Sequence, residues 1–123
     1  MARKYSKQLL SGSTGGRPIK VVATATAGTV IHATGTSASI IDELWLWAQN
    51  SDSADRTLTI EFGGVTDPDD LIVKLVTVPA RAGLQIVVPG IPLVGTGAAA
   101  RTVAAFASVA SVVTVSGYVN RIT

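Results

Sequence analysis

His32 is the only histidine of the chain and cysteine is absent, so a serine nucleophile would have to take its general base from this one ring. The surrounding run, TVIHATG, is apolar and Thr-rich, and no Gly-x-Ser-x-Gly elbow occurs to hold a nucleophile at a sharp turn. His32 therefore reads as a structural or surface histidine. Asp67, Asp69 and Asp70 offer oxygens of the kind Ca²⁺ takes, but Asp-Pro-Asp-Asp lacks the spacing and the glycine of an EF-hand loop and reads as a solvated turn. Glu61 with a loop aspartate would supply the two carboxylates of a glycosidase, yet nothing fixes their separation. Gly12, Gly15 and Gly16 lack both the Gly-Lys-Ser/Thr ending and the preceding strand of a phosphate loop, and read as a flexible joint. GTGAAAR at 95–101 shares two glycines with a dinucleotide fingerprint, without a βαβ unit around them. No catalytic residue, cofactor or metal site is assigned, and a non-enzymatic chain is expected.

The elements that would position any site are strands. IIDELWLWAQN, SDSAD and RTLTIEFGG, residues 40–64, read as a central hairpin with a polar turn. Leu44, Leu46 and Ala48 point to one face of its first strand, and Trp45 and Trp47 to the other, because side chains alternate across the pleat. Both faces are thus apolar, so the second is expected to meet another layer, a long arm or a neighbouring subunit. Leu58, Ile60 and Phe62 turn inward and Thr57, Thr59 and Glu61 outward in the partner strand. Further strands are read around 19–33, over 71–78 with a turn at PARAG and a return from Leu84, and as a last pair over 101–108 and 111–121; residues 91–100 read as irregular. The expectation is an all-β, single-domain antiparallel β-sandwich or jelly roll of about eight strands over residues 19–123. Residues 1–18, broken by Ser, Gly and Pro, are expected as an extended N-terminal arm, with Leu9 and Leu10 as anchors.

At 123 residues the chain makes one domain, and without cysteine it depends on packing alone. Hydrophobic residues are 47% and charged residues only 15%, against roughly 25% charged in ordinary soluble domains, which favours a chain that hides surface in an assembly. No run reaches the roughly 20 apolar residues of a membrane span, and the first residues lack the apolar core of a secretion signal, so a protein made in the cytosol, or carried in a particle assembled there, is expected. The net charge is +2, but it is unevenly spread. Arg3, Lys4, Lys7, Arg17 and Lys20 stand without an acid in residues 1–20, whereas all eight acids lie in residues 42–70 against Arg56 alone. The arm has too little arginine and, with Tyr5, only one ring, so an acidic protein surface suits it better than nucleic acid.

SKQLLSGSTGGRPIKVVATATAGTVIHAT, DELWLWAQNSDSADRTLTIEFGG, DLIVKLVTVPARAGLQIVVPG and SGYVNRI together resemble small virion structural proteins of tailed bacteriophages, along nearly the whole chain. The closest class in architecture is the capsid decoration, or cement, proteins. The resemblance implies a β-rich homotrimer located in the virion, binding the major capsid protein lattice of the expanded head. It implies lattice contacts through Arg3, Lys4, Tyr5, Leu9, Leu10 and Arg17 of the arm, and subunit contacts through Trp45 and Trp47. Two further readings stand beside it: a head-to-tail connector, tail-tube or tail-completion protein, and a glycan-binding jelly-roll head-fibre or receptor-binding module whose tryptophans stack on sugar.

Overall fold

A computed structural model describes residues 2–123. The described residues are all-β: nine strands, β1 (Tyr5–Leu9), β2 (Ile19–Lys20), β3 (Thr29–Ala33), β4 (Ile41–Asn50), β5 (Arg56–Phe62), β6 (Leu71–Val78), β7 (Gln85–Leu93), β8 (Thr102–Ala107) and β9 (Val113–Ile122). Two antiparallel sheets form, one ordered β1-β9-β4-β7 with β2 also on β9, the other ordered β3-β8-β5-β6.

The pairing has a simple logic. β1 and β2 pair with β9, β3 with β8, β4 with β7, and β5 with β6. The chain is therefore one long antiparallel ribbon doubled back at the β5–β6 turn. Rolling this ribbon adds two pairings, β4 with β9 and β5 with β8, and divides it into two facing sheets. That is a jelly roll, which confirms the expected fold class.

The core fills the space between the sheets. Leu44, Leu46 and Ala48 of β4 meet Leu58 and Ile60 of β5, with Ile31, Val78, Val88, Val103, Ala105, Val113, Val115 and Val119, all fully buried. Small branched side chains suit a thin sandwich, because they fill the roughly 10 Å between sheets in few rotamers.

Several expectations need correction. The Trp strand and its successor do not form a hairpin: β4 and β5 lie in opposite sheets, and SDSAD crosses between them. The same holds for β6 with β7 and for β8 with β9; only β5 and β6 are both consecutive and paired. Residues 91–93, read as irregular, continue β7.

The N-terminal segment is extended over Tyr5–Leu9, yet it lies on its own body as an edge strand against β9. Lys4 and Thr123 exchange backbone hydrogen bonds at its start. Leu10 is 2% exposed, in this chain's own core, and is withdrawn from the expected outward contacts. Gly12 is a tight packing position and not a flexible joint. Its N–H donates to the Ile31 carbonyl at 3.0 Å, and a Cβ there would strike the Val30 and Ile31 carbonyls. Composition flagged the segment as loop-like; what orders it is the free edge of β9, which supplies hydrogen bonds to any extended backbone.

Candidate functional site

The outer face of the β1-β9-β4-β7 sheet carries the most distinctive surface. Directly paired residues share a face of an antiparallel sheet, so Leu9, Tyr118 and Trp45 form one row, Tyr5, Ile122 and Ile41 another, and Ser116, Trp47 and Ile86 a third. Three rings gather at its centre. The Tyr118 ring stacks on Trp45 and Trp47 with centroids 6.4 Å and 6.1 Å away, and the two tryptophans stand 6.5 Å apart. The Lys7 ammonium lies 4.7 Å from the Tyr118 centroid, a cation–π contact that brings the N-terminal strand into the cluster.

Local chemistry holds the tryptophans in place. Trp45 Nε1 donates to Glu43 Oε1 at 2.8 Å, two residues along the same face. Opposite Trp45 the β4–β7 ladder is bulged, and Gly90 there has φ +84°; a Cβ on it would strike the Trp45 ring. Glycine is required twice over, by the left-handed backbone and by the indole lying across it. Around the rings stand exposed Tyr5, Leu9 and Ile86, at 67%, 59% and 52% of their possible exposure.

The expected site residues thus divide. Tyr5 and Leu9 share one face with Trp45 and Trp47, which the sequence had assigned to separate roles. Arg3, Lys4 and Arg17 are exposed beside or before the edge strand, and Leu10 is inside. Sequence reasoning missed Tyr118, Lys7 and Ile86. The alternation of the last strand puts Tyr118 on the outward side, but only the pairing of β9 between β1 and β4 brings it to the tryptophans.

A second group sits at the seam between the sheets. His32 is buried; its Nε2 donates to Asp42 Oδ2 at 2.8 Å, and its Nδ1 accepts the Ser11 N–H at 3.0 Å. Arg121 Nε donates to Asp42 Oδ1 at 2.7 Å, and its terminal nitrogen to Oδ2 at 2.9 Å. Burial alone would raise the Asp42 carboxyl, but hydrogen bonds from Arg121 and His32, with the charge of Arg121, outweigh it and hold the group below its ordinary value. Asp, His and Ser stand together here, yet the ring nitrogen a hydroxyl nucleophile would use is filled by a backbone N–H. Ser11 Oγ turns away to accept from Ala33 N at 2.7 Å. This arrangement clamps the N-terminal segment to β3 and β4.

The acidic stretch is largely used within the chain. Asp52 pairs with Arg56 and Asp67 with Lys74, each at 2.6 Å, and Asp70 accepts the Thr66 N–H to close its loop. Among the described residues no three His, Cys, Asp or Glu side chains are grouped to hold a metal ion, and no helix is long and apolar enough to cross a membrane. Comparison with protein-family models, with curated proteins and with solved structures finds no match to this chain.

Proposed function

We propose that this chain is a non-enzymatic structural protein of a tailed-bacteriophage virion, a decoration protein that binds the major capsid protein lattice of the expanded head and stabilises it. The observation that carries this reading is the outer sheet face, where Trp45, Trp47 and Tyr118 are flanked by exposed Tyr5, Leu9 and Ile86 with no strand of the described residues laid over them. Contiguous apolar surface of this kind marks interaction sites, and buried Trp and Tyr anchors dominate interface energies. The class of partner comes from the sequence resemblance.

The mechanism needs no chemistry. A protein that binds the expanded lattice and not its precursor stabilises the shell by that difference in affinity, and a trimer presenting three such faces multiplies a weak contact into a firm one. The exposed cations Arg3 and Lys4, just before β1, and Arg17, in the turn before β2, would steer docking toward acidic lattice surface. Incubating the purified protein with expanded and unexpanded heads lacking it, followed by sedimentation, tests the reading. Saturable binding at many copies, confined to expanded heads, is expected; binding at a few copies at one vertex would transfer the protein to the connector or tail.

The partly exposed indoles favour one second reading, a glycan-binding jelly roll, since ring faces stack on sugars. Tryptophan emission separates the two: a change on adding glycans but none on adding heads would select the lectin.

A further inference from the structure

On the opposite side of the sandwich a cleft of about 220 Å³ opens over the outer face of the β3-β8-β5-β6 sheet. Its walls include Val65, Leu71, Leu75 and Phe106, and Glu61 lies among them. Glu61 points away from the core on β5, as alternation requires, yet it is only 3% exposed. Its Oε1 is fully buried and takes no hydrogen bond from any described residue. Such an oxygen is costly, because it has lost water without gaining a donor. Lys74 and Asp67 also line the cleft, and they pair with each other at 2.6 Å.

The backbone is shaped around this cleft. The β5–β6 ladder slips between Leu58/Val76 and Ile60/Val73, leaving Lys74 and Leu75 as a bulge opposite Thr59. Leu75 sits at φ +54°, a left-handed conformation that a leucine adopts only under constraint, and its N–H donates to Thr59 Oγ1 at 3.1 Å. The bulge carries an exposed leucine over the cleft. A ligand fitting these walls needs an apolar stem and a donor or positive charge at its end.

We propose that this cleft binds an alkylammonium group, with Glu61 as its anionic acceptor, the aliphatic stem between Val65, Leu71 and Leu75, and the Phe106 ring beside the charge. Three-carboxylate metal binding does not compete, because no such group is assembled among the described residues. The chemistry is that of a lysine side chain or of a free amine, and both sources present the same group. Burial, followed by the charges of Asp70 and Asp67, raises the Glu61 carboxyl above its ordinary value, so a bound ammonium must draw it down.

The test is a ¹³C NMR titration of the glutamate carboxyls in the whole protein, with n-butylammonium chloride as the probe and n-butanol as the uncharged control. Expected are binding with a dissociation constant on the order of millimolar, a lowered Glu61 midpoint, shifts of the Leu75 and Val65 methyls, and at least tenfold weaker binding in Glu61→Gln. Phe106→Leu, which keeps the carboxylate, should weaken butylammonium but leave the Glu61 midpoint measured before the probe is added nearly unmoved. Sedimentation at rising protein concentration identifies the source: self-association that Glu61→Gln and butylammonium both reduce assigns the ammonium to a lysine of a second copy, and its absence assigns a free amine. No binding, equal binding of butanol, or unchanged affinity in Glu61→Gln overturns the proposal. Head binding through the aromatic face is measured separately and is unaffected by either result.

Discussion

Two buried carboxylates of this protein have opposite effects on its stability. Asp42 is held by Arg121 and His32, and its carboxyl lies below the ordinary 3.8 in the folded chain. The folded state therefore binds that proton less readily than the unfolded one, and the contribution of Asp42 is present above the ordinary value and lost as pH falls through the lowered one. Asp42→Ala strands His32 and Arg121 and should cost about 3 kcal/mol near neutrality, as breaking a buried pair does. In thermal melts the gap from wild type should shrink below about pH 4. Glu61 has the reverse sign. Burial raises its carboxyl, so its cost is absent in acid and grows as pH rises through and above the ordinary carboxylate range. Glu61→Gln, which removes the unpaired charge and keeps the shape, should raise stability by about 1 kcal/mol at pH 7 and by little at pH 3, where the native carboxyl is itself neutral. Neither environment is written in the sequence: Asp42 is one acid among eight, and Glu61 reads as a solvent-facing position, because alternation gives the side of a strand and not what later covers it.

Among the elements, the N-terminal strand is the one whose placement carries most consequence. β1 and β2 together cover one edge of β9, and Leu10 between them drops into the core. Leu10→Ala should cost about 3 kcal/mol, within the range for buried leucines, whereas Leu9→Ala should change stability by less than about 0.5 kcal/mol. Chemical denaturation of the two variants decides this, and equal effects would mean that the segment does not pack as described. Gly90→Ala bears on the other edge. It combines a strained backbone with a clash against Trp45, so it should destabilise the fold and alter tryptophan emission together. Individual strands were legible from alternation: Leu44, Leu46 and Ala48 point inward and Trp45 and Trp47 outward, as read. Their partners were not. SDSAD has the composition of a hairpin turn and crosses between sheets instead, since turn chemistry reports that the chain changes direction and not which sheet receives it.

For the whole molecule, rolling a single ribbon creates both outer faces at once. One gathers three rings from two strands far apart in sequence, Trp45 and Trp47 of β4 and Tyr118 of β9, with Lys7 and Leu9 from the edge. The other shelters Glu61 under the β6 bulge. The low charged fraction favours a protein that hides surface in an assembly, and Tyr5, Leu9 and Ile86 are exposed apolar residues of the face proposed here to do so. The central claim is that the aromatic face docks the protein on the expanded head. It is tested most directly by head binding of Trp45→Ala/Trp47→Ala beside wild type, with thermal melts showing that both are folded. These rings lie outside the sandwich core, so the double variant should keep its fold while its affinity for expanded heads drops at least a hundredfold, about 2.7 kcal/mol. A folded double variant that still decorates expanded heads with wild-type affinity would contradict the account.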